Sequence, residues 1–209
     1  MRIREKGSSR NFLWLILELI IIFAGVFLAI VFNNIQEHKR DIEKARSIFE
    51  YFLNECEAER GFIEKEKVAF DSVTNVFLHA YKIGDMPDIT GVPVFFTSSV
   101  NTRVWEAILI SRGTDVLDFA TIRMIDTYEN SKMGLFKLFE KGEIYSMEFL
   151  LPNMEKTKFE YYNYRTKELR PKYSWFIKFL LSIQQQYTDL LNANIELSTY
   201  LTEKMSESK

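Results

Sequence analysis

From Phe12 to Phe32 the chain runs 21 residues with Glu18 as its only charge. At 1.5 Å per residue such a helix is about 30 Å long, the thickness of a bilayer's hydrocarbon core. A secretory signal is the alternative, but its apolar run is shorter and closes on small residues at a cleavage site. This run closes on Ile30-Val31-Phe32-Asn33-Asn34. The expectation is a retained transmembrane helix at 12–32, preceded by a basic tail at 1–11 and followed by a soluble domain at 33–209. Arg2, Arg4, Lys6 and Arg10 precede the span, and Lys39, Arg40, Lys44 and Arg46 follow it. With four on each side, the positive-inside rule does not set the orientation.

Glu18 is the costly residue. An ionised carboxylate in hydrocarbon costs about 2.5 kcal/mol or more, so it normally faces protein or water. Glu18, Gly25, Ala29 and Phe32 follow at spacings of 7, 4 and 3 and share one helical face. Gly25 and Ala29 form a small-xxx-small pair that lets helices approach closely. One reading makes this face the contact or pore-lining surface of a homo-oligomer. The other places Glu18 near the interface, solvated by snorkelling.

Beyond Asn34 a helical pattern continues without Pro or Gly until Gly61, where a bend is expected. Ile35, Ile42, Phe49, Cys56, Ile63, Phe70 and Phe77 recur every seventh residue. Ala45, Phe52, Val73 and Ala80 fill positions three further on, where His38, Glu59 and Glu66 break the seam. Ile48, Phe62, Ala69 and Val76 widen the stripe, as in a helix packed into a bundle. Residues 84–93 form a loop with two prolines. A short helix is expected from about Ser99 to Ser111, closed by Gly113, and then a helix capped by Thr114 or Asp115. That second helix runs, with a break at Gly134 or Gly142, to Leu151 before Pro152. A final helix spans Pro171 to Met205, with Trp175, Phe176, Phe179, Leu180, Ile183, Tyr187, Leu190, Leu191, Ile195 and Leu197 as its stripe. Val92–Thr97 is the one strand candidate. The fold expected is all-α, a single transmembrane helix running on into a soluble helical bundle.

The run Glu18, Gly25, Ala29, Asn33, Asn34, Glu37 (E-x6-G-x3-A-x3-N-N-x2-E) resembles the N-terminus of a family of small bacterial single-span membrane proteins of unknown function. In that family an apolar helix bearing one glutamate ends in Asn-Asn and enters a charged helix. Ser111-Arg112-Gly113, followed by Leu117 and Tyr128, resembles that family's helix junction. More loosely, the architecture is similar to channel-forming membrane effectors of anti-phage systems of the Hailong type. That likeness implies a homo-oligomer whose conductance is set by a nucleotide or oligonucleotide made by a partner enzyme. No effector residue maps individually onto this chain.

No phosphate-binding glycine loop, H-E-x-x-H, G-x-S-x-G or C-x-x-C occurs. Cys56, the only cysteine, and His79 lie 23 residues apart on one helical pattern, about 34 Å along a straight helix, so they form no dyad. Cys56 reads as a small core residue and His38 as a surface one. No enzyme, metal or cofactor is expected. One segment, Lys156–Trp175, interleaves six basic residues with six aromatics. Arg165, Arg170 and Lys172 suit phosphate, and Tyr161, Tyr162 and Tyr164 offer stacking faces for bases. The competing reading is a helix junction whose rings pack inward. Two functions stay open from sequence. One is an oligomeric ion-conducting pore regulated by its soluble domain and serving as a defence effector; the other is a membrane-tethered scaffold that binds another protein. The expected setting is a bacterial inner membrane, with the bundle in the cytoplasm.

Overall fold

The computed structural model describes residues 8–90, 103–153, 155 and 157–207, and their side chains from residue 14 onward except that of residue 103. Five α-helices occur among them: α1 (Ser8–Lys82), α2 (Arg103–Ile110), α3 (Phe119–Tyr145), α4 (Lys158–Tyr161) and α5 (Trp175–Glu207). No strand occurs among the described residues; an isolated antiparallel bridge joins Tyr162 to Leu169. The protein is all-α, as the 3.6-residue periodicity predicts. The strand candidate Val92–Thr97 lies outside the described residues, as does the start of the short helix at Ser99.

The chain divides into two units, Met1–Arg46 and Ser47–Lys209. In the first, the side chains from Trp14 onward are exposed apart from a half-buried Ala45. Ile35 and Ile42, the first two residues of the heptad series, are about half exposed. The compact unit therefore begins at Ser47, later than the expected 33, because residues 33–46 bury almost nothing.

In the second unit α1 contributes Ile48, Phe52, Cys56, Ile63, Phe70 and Phe77 to the core. Gly61 does not interrupt it. The widening row is different: Phe62, Ala69 and Val76 face solvent. Helices α3 and α5 form the main pairing. Hydrogen bonds order α5 along α1: Asn194 bonds at Cys56 and Gln184 at Asp71. Their sequence numbers fall as those on α1 rise, so the two helices are antiparallel. Helix α5 buries Phe176, Phe179, Leu180, Ile183, Tyr187, Leu190 and Leu197, whereas Ile195 is exposed and Asn194 takes the inward place. Each fully buried large apolar side chain contributes about 1.5–3 kcal/mol.

The start of α3 differs from the expectation. Thr114 and Asp115 lie in a 3₁₀ turn at Gly113–Val116, and Asp118 is the cap, accepting from Thr121 N at 2.7 Å. That bond, followed by the ion pair to Lys204, holds the Asp118 carboxyl down to about 2. Gly113 follows Arg112, whose φ is +53°, and a Cβ there would meet Ile108 Cγ2 at 2.8 Å, so the turn is closed to larger residues. Neither Gly134 nor Gly142 breaks α3; it passes into a π turn at Ser146–Leu150 and a 3₁₀ turn containing Pro152.

Candidate functional site

Three places bring chemistry-bearing residues together, and they fare differently. The first is the apolar stretch of α1. Glu18, Gly25 and Ala29 are exposed, and a Cβ added at Gly25 would meet nothing within 4 Å. From Trp14 to Phe32 the large apolar side chains are between 37 and 69 % exposed. One helix among the described residues is long and apolar enough to cross a membrane, and none of its most apolar window is buried within the chain. Among the described residues nothing buries Glu18.

The second place is the basic–aromatic segment. Tyr161 and Tyr162 are 2 % and 0 % exposed. Tyr161 donates its hydroxyl to Asn153 O at 2.5 Å, and Tyr162 donates to Pro87 O at 2.7 Å. Burial raises both phenols, most for Tyr162, and keeps them protonated donors. The Tyr161 ring meets Tyr173 edge-on at 5.1 Å, and Tyr162 tilts against Tyr81 at 6.3 Å. These rings are core and offer no stacking face to a base, which corrects the ligand assignment for both. Their neighbouring positions point inward together because the backbone changes state between them: Tyr161 ends α4, whereas Tyr162 is extended at φ −112°, ψ 151°. Arg170 is also committed, its Nε donating to Tyr162 O and its Nη2 to Phe159 O. It pins the junction rather than waiting for phosphate. Lys172 lies over the rings of Phe149 and Tyr173 at 5.4 and 5.7 Å. Tyr164, 68 % exposed, and exposed Arg165 remain open to solvent. Lys156 lies outside the described residues.

Two substitutions separate core from surface here. Tyr162→Ala should cost about 3–5 kcal/mol, as for other large aromatic truncations. Tyr164→Ala should stay within about 0.5 kcal/mol. Urea unfolding of the detergent-purified chain, followed by tryptophan fluorescence, would compare them. Equal effects would mean the burial assigned to Tyr162 is wrong.

The third place is not evident from sequence. Lys132 of α3, 3 % exposed, sits between two carboxylates, 2.6 Å from Glu55 Oε1 of α1 and 2.9 Å from Glu129 Oε1 one turn back. One turn along α1, Glu59 accepts a hydrogen bond from the Tyr128 hydroxyl. Arg60 bridges to α5, its Nε donating to Asn194 Oδ1 and its Nη2 to Ser198 Oγ. Asn194 in turn donates to the Cys56 carbonyl at 3.0 Å. Burial would lower the Lys132 ammonium, but its bonds to Glu55 and Glu129 outweigh that and raise it. Burial, reinforced by Glu55 and Glu59, pushes the Cys56 thiol up to about 12, so it stays an un-ionised core residue. The sequence holds one signal of this cluster in Glu59, which falls on a seam position. A second signal is the helical spacing that Glu129 and Lys132 share with Ile125, Tyr128, Leu135 and Phe139, all buried.

These features define an all-α protein with, among the described residues, one helix apolar enough to span a bilayer and a compact helical unit tied together by a polar cluster centred on buried Lys132 and Glu129. Comparison with family models, with curated proteins and with solved structures returns no match.

Proposed function

We propose that the chain is an oligomeric single-span membrane protein whose spans pack through the Glu18–Gly25–Ala29 face and line an ion-conducting path, with the soluble unit as its regulator. One observation carries this reading. Glu18 lies in an apolar helix that is not buried within its own chain, and the described residues offer no second span to cover it. An ionisable residue at that depth is retained at a cost, so protein or water from an assembly is its natural neighbour. A lone helix encloses nothing, so a pore needs several copies. A bacterial inner membrane and a role in anti-phage defence accompany this reading through the resemblance of the span and architecture, and a cytoplasmic bundle through its one unpaired thiol, Cys56. A nucleotide signal read by Tyr161 and Tyr162 does not, because both rings are packed away.

A second reading, a tethered scaffold, is favoured by a specific feature of α1. Phe62, Ala69, Val76 and, just past its end, Ile83 repeat every seventh residue and face solvent. A seven-residue apolar repeat suits another helix laid along it. The two readings part in planar bilayers. Reconstituted protein should give discrete single-channel currents, and Glu18→Gln should change their conductance or cation preference. Silent bilayers containing demonstrably inserted, assembled protein would leave the scaffold.

A further inference from the structure

Around Lys132, which is buried with Glu129 among half-buried Glu55, Glu59 and Arg60, the charges do not balance. Glu55, Glu59 and Glu129 supply three carboxylates against Lys132 and Arg60, and Arg60 spends its hydrogen bonds on Asn194 and Ser198. Glu55 and Glu129 each place one oxygen on the Lys132 ammonium and leave a buried Oε2 without a donor among the described residues. Glu129 is the more enclosed of the two, 6 against 12 % exposed. A buried carboxylate oxygen with no donor is a standing cost, which protonation removes by taking the charge off the group.

We propose that Glu129 is a proton-binding site of the folded bundle, holding a proton while α1, α3 and α5 are packed and releasing it when they separate. Its surroundings on every side agree. Helix α1 presents Glu55 and Glu59, with Tyr51, Cys56 and Arg60 on the same stretch. Helix α3 adds Lys132 and Tyr128, and α5 brings only the neutral Asn194 and Ser198 to this level. Helix α2 contributes the neutral Trp105, edge-on to Phe52, while its Glu106 is exposed. Two acids thus stand near Glu129 for the single ammonium it touches.

The direction of the effect follows. Burial raises the Glu129 carboxyl above its ordinary 4.5; Lys132 pulls it down without cancelling, and Glu55 and Glu59 raise it further. A group that binds its proton more tightly when folded stabilises the fold below its unfolded value. That contribution is lost as pH rises through the folded value. The bundle therefore loosens as pH climbs from about 4.5 through the raised value, the opposite of the usual carboxylate. This inference stands whether or not the span conducts ions.

The test uses the full chain in detergent, melted across pH 5 to 8 by near-ultraviolet circular dichroism. Wild type should melt lower as pH rises, and Glu129→Gln, an uncharged stand-in for the protonated acid, should lose most of that slope. An unchanged slope in Glu129→Gln overturns the proposal. Infrared spectra give a readout that requires no folded variant: on titration, wild type should keep the carbonyl band of a protonated carboxyl group to higher pH than an ordinary glutamate with its value of 4.5 would. In wild type, loss of the whole band at the ordinary value overturns the proposal, as does persistence of the high-pH band in Glu129→Gln with its loss in Glu55→Gln.

Discussion

Lys132→Met should destabilise the soluble unit by about 3–5 kcal/mol, the cost of stripping one partner from a buried ion pair. Methionine fills much the same volume, so the penalty is electrostatic: the Glu55 carboxylate, 12 % exposed, is left with no cation against it, and Glu129, 6 % exposed, loses the donor to its Oε1. The packing around Lys132 reaches across two helices, since its ammonium joins α1 to α3 and also lies 4.7 Å from the Tyr128 ring. Adding Glu55→Gln and Glu129→Gln to Lys132→Met should return much of the loss, because neither side chain that faced Lys132 then carries a charge. Chemical unfolding of the single and triple variants in detergent would check this. A single variant as stable as wild type would mean that water reaches the cluster and screens it.

Much of the bundle is legible in the sequence, and the exceptions have physical causes. Cys56, Ile63, Phe70 and Phe77 are buried as their seven-residue spacing predicts. Phe62, Ala69 and Val76 belong to the same apolar pattern yet face solvent, since periodicity marks an apolar face without saying whether the chain has a helix to lay on it. The boundary moves from 33 to 47 for a related reason: Ile35 and Ile42 continue the repeat past the point where partners end. Thr114, Asp115 and Asp118 are all competent caps for α3. The choice among them depends on the intervening 3₁₀ turn, and so on how Gly113 packs against Ile108. In the basic–aromatic segment the difference lies in backbone direction. Tyr161 and Tyr162 are adjacent and look like a surface pair, but a helix end followed by an extended residue turns both inward. Glu129 and Lys132 are hard to see because charge on a helix face ordinarily means solvent, and only the packed helices reveal that this face is covered.

Gly25→Leu should dissociate or resize the assembly. In the isolated chain the substitution is free of cost, since nothing lies within 4 Å of the added Cβ and leucine is a better helix former than glycine. Between two close-packed helices the same side chain holds the backbones apart. Any loss of oligomer in Gly25→Leu therefore reports contact between copies rather than damage to the fold. Unchanged melting of the soluble unit would complete that separation. Full retention of wild-type size would mean the contact face lies elsewhere on the helix.

If other copies of this chain cover Glu18, the protein must assemble in the bilayer. Native mass spectrometry of the full-length protein, released from lipid nanodiscs, measures this directly. One closed oligomer of defined stoichiometry, surviving dilution, is the expected result. A monomer at every concentration would contradict it, since a single helix can neither shield Glu18 nor enclose a path for ions.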